Sequence, residues 1–405
     1  MQSKSSCSII GGTYRELCDA CLSWDHVYGS GLRALRIFQA FNHIENISFY
    51  SCCSKYLNVI PCNYGNKKTN FHLTKALDVE FKYEHPFRMS SIKPRPDVIA
   101  QHKQKIEVED GNVLVFGMID ADFKVNADRA VYDPQTCVMP PKFSATSTAR
   151  ELVYVLNASE AQNLSGCNKL EDIQKFFFEE EKCYALIIKN GSNGATLYRN
   201  THDKGFIIPV FKTNNVFTIG SGDVFTSSFA EHWFLTNNLE ESALMASKVT
   251  ACYSQNRGNI IDAIANLEHF DFIPLTNHNK GQIYLAGPFF TFSQKWLINE
   301  FYESLQNCQA NVFYPLKDVG IGEPNEVVSP DLKGLNDSDV LLAILDLNDV
   351  GTIFEIGYAL AKDKKVVVYA PNSKTRDLTM MIGSHCEIEE DFTTAIYKAC
   401  WYAEE

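Results

Sequence analysis

The sequence lacks any run of apolar residues long enough to cross a lipid bilayer, which takes about 18 or more consecutive ones. Its first six residues are not followed by the long apolar region of a secretory leader, so we expect no signal peptide. Both absences predict a cytoplasmic protein with no membrane partner.

Positively charged residues are also fewer than negatively charged ones. There are 37 lysines and arginines and 49 aspartates and glutamates, which give a net charge of −12. A surface of this sign repels phosphate backbones, so we expect no nucleic acid as a partner. The remaining composition, 45% hydrophobic and 21% charged, is that of an ordinary globular protein. A length of 405 residues predicts two or three domains.

Cysteines and histidines with metal-ligand spacing are missing as well. The 13 cysteines are an odd number scattered along the chain, and only Cys18 and Cys21 have CxxC spacing. A zinc site needs a second such pair or a pair of histidines. We therefore predict no zinc site and reduced cysteines, as a cytoplasmic location implies.

Short apolar segments alternate with helical stretches from residue 113 onward, which is the pattern of an α/β fold. Residues 148–154 are interpreted as helical, and residues 47–85 as short strands with turns that form a small lid sheet. A polar, turn-rich stretch at 276–281 predicts a linker. It separates a first domain, 1–275, from a second, 282–405.

A glycine-rich turn opens a helix at residues 220–223, which read Gly220, Ser221, Gly222 and Asp223. Backbone N–H groups of such a turn at a helix N-terminus attract negative charge. Asp223 follows at once, where a carboxylate can take the proton of an attacking hydroxyl. Because phosphoryl transfer needs little more than positioning and charge neutralisation, the segment predicts a phosphate site with Asp223 as the base.

Three segments in order, 157–160, 189–194 and 220–223, make residues 8–270 resemble the PfkB family of carbohydrate and nucleoside kinases. The resemblance implies ATP and Mg²⁺ as cofactors, a phosphate site at Gly220, Ser221 and Gly222, and Asp223 as the base. Other implied roles are Asn157 and Glu160 placing magnesium and phosphate, Gly191 and Gly194 bordering the nucleotide, and Gly29 and Gly31 near the phosphoryl acceptor. The family usually has an acidic residue where this chain has Phe217.

A second candidate site follows the apolar run at 340–345, which reads as a buried parallel strand. A helix and the strand at 365–369 complete a strand–helix–strand crossover. Ligands of open α/β sheets bind beyond the carboxyl ends of the strands, where Asp349 and Glu355 lie. Two carboxylates at such a place suit chemistry at a glycosidic bond.

Residues 282–400 resemble the nucleoside 2-deoxyribosyltransferase family, through the segments 283–290, 330–335, 338–340 and 351–359. The resemblance implies that Glu355 attacks the anomeric carbon and that Tyr284 is hydrogen-bonded to it. Other implied roles are Asp349 holding the sugar or orienting Glu355, Asp331 managing the proton of the base, and Gly287, Phe289 and Gly351 binding the substrate. The resemblance also implies no cofactor for this domain and a homo-oligomer formed through it.

The two resemblances together imply a ribokinase-like α/β domain followed by a smaller flavodoxin- or Rossmann-like domain with a parallel sheet. The second domain would cleave or exchange the N-glycosidic bond of a deoxynucleoside, a nucleoside monophosphate or NAD. The first domain would be a working kinase, giving a bifunctional nucleoside salvage enzyme, or a ligand sensor. A sensor would control a nucleotide- or NAD-depleting effector in defence against phage, with a regulatory protein partner.

Overall fold

The computed structural model describes residues 5–19, 24–135, 141–275, 281–371 and 373–405. The chain divides into two compact units, Met1–Phe272 and Ile273–Glu405. Except for Gly281, the predicted linker at 276–281 lies outside the described residues, and so does Cys21 of the CxxC pair.

The first unit contains thirteen strands and eight α-helices among its described residues. Its strands are β1 Ser6–Ile10, β2 Arg15–Cys18, β3 Trp24–Val27, β4 Asn46–Cys53, β5 Thr69–Lys75, β6 Glu80–Tyr83, β7 Ser91–Lys93, β8 Gln104–Phe116, β9 Ala121–Asp133, β10 Thr148–Asn157, β11 Ala185–Lys189, β12 Ala195–Tyr198 and β13 Phe206–Ile208. Its helices are α1 Gly29–Phe41, α2 Val59–Tyr64, α3 Pro96–Ala100, α4 Ala158–Ser165, α5 Leu170–Lys175, α6 Ser221–Thr236, α7 Leu239–Gln255 and α8 Ile260–Ala265.

Nine of these strands form one mixed sheet in the order β13-β12-β11-β10-β9-β8-β1-β4-β5. The pairings from β11 to β5 are parallel, whereas β12 is antiparallel to both β11 and β13. Parallel strands align their carboxyl ends at one edge of a sheet, and ligands of such folds bind beyond that edge. The remaining strands form a separate four-stranded sheet, β3-β2-β6-β7.

The helical prediction for residues 148–154 is wrong, because this segment belongs to β10 in the middle of the large sheet. Val153 and Val155 pack into the core cluster that also holds residues of α1 and α6. Leu152 and Tyr154 pack into the cluster on the other face, with residues of α4 and α5. Side chains that alternate between two cores have a period of two residues, which only a strand provides.

The lid-sheet prediction for residues 47–85 is partly wrong. β4 and β5 belong to the nine-stranded sheet, where they run parallel and are joined through α2. Only β6 lies in the small sheet, paired with β2 and β7. Short alternating segments indicate strands, but they do not indicate which sheet a strand joins, because pairing depends on distant partners.

The second unit has five strands and six α-helices among its described residues. They are β14 Gln282–Ala286, β15 Asn311–Phe313, β16 Val340–Ile344, β17 Lys365–Tyr369, β18 Glu387–Glu389, α9 Phe292–Asn307, α10 Pro315–Asp318, α11 Pro324–Asp337, α12 Val350–Ala361, α13 Thr379–Gly383 and α14 Phe392–Glu404. The sheet order is β15-β14-β16-β17-β18, and every pairing is parallel. The predicted crossover is present as β16, α12 and β17, and β16 is buried at all five positions.

Over the described ranges, every helix of the chain is too short or too polar to span a lipid bilayer.

Candidate functional site

The candidate site of the second unit is centred on a hydrogen bond between Tyr284 and Glu355. Tyr284 lies on β14 with 1% of its surface exposed, and its hydroxyl donates to Oε1 of Glu355 on α12 at 2.7 Å. Burial raises the pKa of the Glu355 carboxyl to about 7, and the charges of Asp331 and Asp349 raise it too, whereas the bond from Tyr284 opposes them. Near neutral pH, part of the Glu355 population is therefore ionised.

Asp331 brings a second carboxyl to this site from α11. Its charge acts on both Glu355 and Tyr284, so the three side chains form one electrostatic cluster. Its Oδ1 is buried and has no hydrogen-bond partner among the described residues. Burial raises the pKa of the Asp331 carboxyl, which favours the protonated form that can give up a proton.

Asp349 caps the N-terminus of α12. Its Oδ2 accepts hydrogen bonds from the backbone N of Thr352 at 2.8 Å and from Oγ1 of Thr352 at 2.9 Å. A cap of this kind satisfies a backbone donor that the helix leaves without a partner. The same residue is close enough to raise the pKa of Glu355, so a capping role and a role at the site are both compatible with its position.

The three residues predicted to bind the substrate lie on the loops after β14 and on α12. A Cβ on Gly287 would come within 3.0 Å of Cβ of Ile344 and 3.2 Å of Cδ1 of Ile298, so packing alone explains this glycine. Phe289 is partly buried and its ring lies 5.3 Å from that of Phe290, which is 70% exposed. Gly351 is exposed, and Oδ2 of Asp349 would lie 3.2 Å from an added Cβ.

Gln294 and Asp346 form a contact just after the end of β16 that was not predicted from the sequence. Nε2 of Gln294, which is 8% exposed near the start of α9, donates to Oδ2 of Asp346 at 3.0 Å. Asp346 follows β16, and Leu347 and Asn348 after it have positive φ angles of 52° and 54°. Two successive non-glycine residues in this region are uncommon, and such backbone strain is often found at functional loops.

The candidate site of the first unit contains Asp223 in the first turn of α6, after Gly220 with φ of 75°. Oδ2 of Asp223 accepts a hydrogen bond from Nη1 of Arg33 at 2.5 Å, and Oδ1 accepts one from Nε2 of Gln135. Nη2 of Arg33 also donates to Oε2 of Glu16 at 2.6 Å. The base candidate is thus part of a buried ion-pair network that was not predicted.

Burial raises the pKa of the Asp223 carboxyl to about 6, against the opposing effect of Arg33. The charges of Asp133 and Glu16 raise it further, and Lys189 lowers it. Five charged side chains, from β2, α1, β9, β11 and α6, therefore form one electrostatic network.

Lys189 at the end of β11 supplies the second cation. Its Nζ donates to Oδ2 of Asp133 at 2.8 Å, and Oγ1 of Thr226 donates to the same oxygen at 2.7 Å. A Cβ on Gly222 would lie 3.4 Å from this Nζ, so the ammonium group lies beside the first turn of α6. Positive charge next to a helix N-terminus is a suitable place for a phosphate.

Asn157 and Glu160 form a capping box at the start of α4. Oδ1 of Asn157 accepts from the backbone N of Glu160, and Oε2 of Glu160 accepts from the backbone N of Asn157, both at 2.8 Å. Burial raises the pKa of the Glu160 carboxyl, and the charge of Asp133 raises it further. Within the described part of the chain, no group of three or more histidine, cysteine, aspartate or glutamate side chains is arranged to hold a metal ion.

The four remaining predicted glycines have structural explanations in the first unit. Gly29 and Gly31 lie where α1 meets the loop after β1, and a Cβ on either would come within 2.5 Å of a carbonyl oxygen of that loop. Gly191 and Gly194 have φ of 58° and 78° in the turn between β11 and β12. Their predicted roles beside an acceptor and a nucleotide stay predictions.

Arg33, Glu16, Lys189 and Asp133 are the charged residues at this site that sequence reasoning missed. Lys189 did stand in a segment used for the resemblance, and Arg33 followed the glycines of the early turn. Arg33 and Asp223 are 190 positions apart. No local pattern indicates a pair at that separation.

Two family models match the chain. The pfkB family carbohydrate kinase model matches residues 122–266, and the nucleoside 2-deoxyribosyltransferase model matches residues 283–391. An uncharacterized protein of Ureaplasma parvum serovar 3 is 31% identical over 143 residues, which cover 28% of this chain and 90% of that protein.

Solved structures of kinases are also similar. Ribokinase from Thermotoga maritima is 15% identical, with 66% of this chain and 100% of that chain covered and a TM-score of 0.47. Fructokinase from Vibrio cholerae O395, solved in a form with bound fructose, ADP and calcium ion, is 13% identical, with 66% and 99% covered and a TM-score of 0.49. Arabidopsis thaliana ribokinase complexed with ribose and ATP is 15% identical, with 67% and 100% covered and a TM-score of 0.44.

Proposed function

We propose that the nucleoside 2-deoxyribosyltransferase domain of this chain, residues 283–391, breaks the N-glycosidic bond of a nucleoside through Glu355. It follows a pfkB family carbohydrate kinase domain at residues 122–266. The observation that carries the proposal is the hydrogen bond from buried Tyr284 to Glu355. It lies in a cluster with the carboxyls of Asp331 and Asp349. This arrangement provides a nucleophile, a group that orients it and a proton donor.

In the first step, an ionised Oε of Glu355 forms a bond to the anomeric carbon while the bond from that carbon to the base nitrogen breaks. The base leaves with the bonding electron pair and takes a proton from Asp331. The resulting ester between enzyme and sugar divides one difficult displacement into two easier ones. In the second step, water or another base attacks the anomeric carbon, and the ester bond breaks with its electron pair returning to the Glu355 carboxylate. The Asp331 carboxylate takes the proton of the attacking molecule, so the outcome is hydrolysis or transfer.

The charges around Glu355 favour a substrate that is neutral near the reacting bond. Asp331 and Asp349 perturb the pKa of Glu355, and among the described residues no lysine, arginine or histidine does so. Carboxylates in a poorly solvated site repel an additional negative charge. We therefore propose that an uncharged nucleoside is preferred over a 5′-monophosphate.

Purified full-length protein incubated with deoxynucleosides, nucleoside monophosphates and NAD, with and without a second base, tests this proposal. Chromatography should show free base or exchanged nucleoside, fastest with the uncharged substrates. Glu355→Ala should abolish the product, and Glu303→Gln, which changes an exposed carboxylate on α9, should not. Base release that persists in Glu355→Ala would disprove the role of this residue, and faster release from the monophosphates would disprove the preference.

We propose that the first domain binds ATP with Mg²⁺ at the edge where Lys189 and the first turn of α6 meet. Mg²⁺ in such sites is held by one or two carboxylates together with substrate phosphates and water, so few protein ligands are needed. Glu160, with Asp133 close enough to raise its pKa, fits that requirement, and Asn157 and Glu160 would hold the ion. Bound magnesium supplies neutralisation of the phosphate charge. Self-association through the second domain stays a prediction.

A further inference from the structure

Arg33 is a buried cation held between two carboxylates from different elements. It lies on α1 with 1% of its surface exposed, and it pairs with Glu16 on β2 and with Asp223 on α6. Glu16 is itself fixed, since its Oε1 accepts from the backbone N of Gly29 at 3.0 Å. The three side chains connect the small sheet, the first helix and the helix that follows the glycine-rich turn.

Phosphoryl transfer would require Asp223 to be available to an acceptor. The acceptor oxygen forms a bond to the terminal phosphorus, the bond from that phosphorus to the oxygen of ADP breaks, and the hydroxyl proton moves to the carboxylate. In this chain Nη1 of Arg33 donates to one carboxylate oxygen and Nε2 of Gln135 to the other. The Asp223 side chain is 11% exposed, so an acceptor hydroxyl would compete with these donors for the little room left around the carboxylate.

Displacement of Arg33 is opposed by its surroundings. An added Cβ on Gly220 would lie 2.2 Å from Cζ of Arg33, so the guanidinium packs directly against the turn that precedes α6. The ring of Tyr28 lies 5.3 Å from the same Cζ. Separating Arg33 from Asp223 would leave the buried Asp223 carboxylate without this cation, and breaking a buried ion pair is far more costly than breaking one at the surface.

The residue at position 217 also distinguishes this site from that of a working kinase. Phe217 stands where the kinase family usually has an acidic residue, and it is 4% exposed with its ring 4.7 Å from that of Trp24. Nε1 of Trp24 donates to Oε2 of Glu16 at 3.4 Å. An apolar packing contact therefore lies beside the ion-pair network, where an acidic side chain would add another negative charge.

We propose that Arg33 occupies the acceptor side of Asp223, so that the first domain binds a nucleotide without transferring its phosphoryl group. Arg33 is then a positioning residue that acts through Asp223, and the domain is a ligand-binding module. This inference rests on the proposed nucleotide binding of the first domain and is independent of the glycosyl chemistry of the second.

The first experiment measures ATP binding by calorimetry and phosphoryl transfer to sugars, nucleosides and water, with full-length protein and Mg²⁺. We expect ATP to bind and to stay intact, with no difference in ADP formation between wild type and Asp223→Asn. Transfer that depends on Asp223 in the wild type would overturn the inference. Failure of ATP to bind would disprove the proposed nucleotide role, and the stability measurement below would still decide whether Arg33 holds Asp223.

The second experiment is thermal unfolding of the full chain. Asp223→Asn and Glu16→Gln should each lower the Tm by about 10 °C, because each leaves Arg33 with one carboxylate fewer. The control is Asp122→Asn, which removes an exposed partner of Lys103 and should change the Tm by about 2 °C or less. If Asp223 faced an open acceptor site instead of Arg33, its replacement by Asn would not lower the stability of the protein. An unchanged Tm in Asp223→Asn would therefore overturn the inference.

The third experiment asks whether removing Arg33 frees the base. The double variant Glu16→Gln/Arg33→Ala removes one cation and one anion together, which limits the charge left buried. If it unfolds cooperatively and binds ATP, ADP formation with water as the acceptor should rise by about tenfold or more. Adding Asp223→Asn should reverse the gain. If Arg33 has a purely structural role, its removal will give no increase in ADP formation that depends on Asp223. That result would refute the assignment.

Discussion

Replacing Tyr284 by Phe should raise the pKa of Glu355 and so change the pH dependence of base release. The hydroxyl of Tyr284 donates to Oε1 of Glu355 at 2.7 Å, and among the described residues it is the group that lowers this pKa. A hydrogen bond to a carboxylate stabilises the ionised form, so its loss favours the protonated form. A protonated Glu355 cannot attack the anomeric carbon.

The size of the effect follows from the strength of the bond. A hydrogen bond to a charged group contributes about 1.5–3 kcal/mol, which corresponds to a pKa increase of about 1–2 units. From a starting pKa of about 7, the ionised fraction at pH 7 falls from about one half to between about one tenth and one hundredth. Base release should therefore fall about 5- to 50-fold at pH 7 but only about twofold or less at pH 9.

The assay is the ratio of kcat/KM for Tyr284→Phe to that for wild type, measured by base release between pH 6 and pH 9. A ratio cancels the pH dependence of Asp331, which both proteins share. Tyr314→Phe is the matched control, because Tyr314 is 1% exposed in the same domain and its hydroxyl has no hydrogen-bond partner among the described residues. The control ratio should be independent of pH. A Tyr284→Phe ratio that is equally flat would refute the reasoning.

Two further predictions concern stability. Asp349→Ala should lower the free energy of unfolding by about 1 kcal/mol, because the hydrogen bond that caps α12 at Thr352 is lost. Asp349→Asn keeps an acceptor oxygen and should lower it much less. Equal losses in urea unfolding would mean that the charge of Asp349, and not its acceptor oxygen, stabilises α12. Gly220→Ala should destabilise the protein by about 2 kcal/mol or more, since φ is 75° and the new Cβ would overlap Arg33. Gly357→Ala, at a helical position where the new Cβ would meet no described atom within 4 Å apart from its own helix backbone and chain neighbours, should instead stabilise by about 0.5–1 kcal/mol. A reversed order of the two variants would contradict this account.

The local sequence pattern was sufficient to predict those helices and strands whose formation depends on adjacent residues. The apolar run before Asp349 and the helix after it indicated the crossover that the structure contains as β16, α12 and β17. Segment order along the chain was sufficient for the two families, and the family matches confirm them. A ribokinase-like unit with a large mixed sheet followed by a smaller, all-parallel Rossmann-like unit is also confirmed.

Sequence pattern gave wrong predictions for strands whose pairing partners lie far away in the chain. Residues 148–154 carry few turn signals and were assigned to a helix, yet their side chains alternate between two cores in β10. β4 and β5 were assigned to the small sheet because their pairing with β1 and with each other cannot be read from either segment alone.

The sequence by itself determined the two families, the order of the domains and the candidates for nucleophile and base, because each of these can be recognised from residues within short segments. Only the tertiary structure decided what surrounds each candidate. Tyr284 and Glu355 are 71 positions apart and Arg33 and Asp223 are 190 apart, and each pair meets only once the chain is folded, Tyr284 on β14 with Glu355 on α12 and Arg33 on α1 with Asp223 on α6. Burial in those contacts raises the pKa of Glu355 to about 7 and encloses Asp223 with a guanidinium, and burial is a property of the fold that no single segment carries.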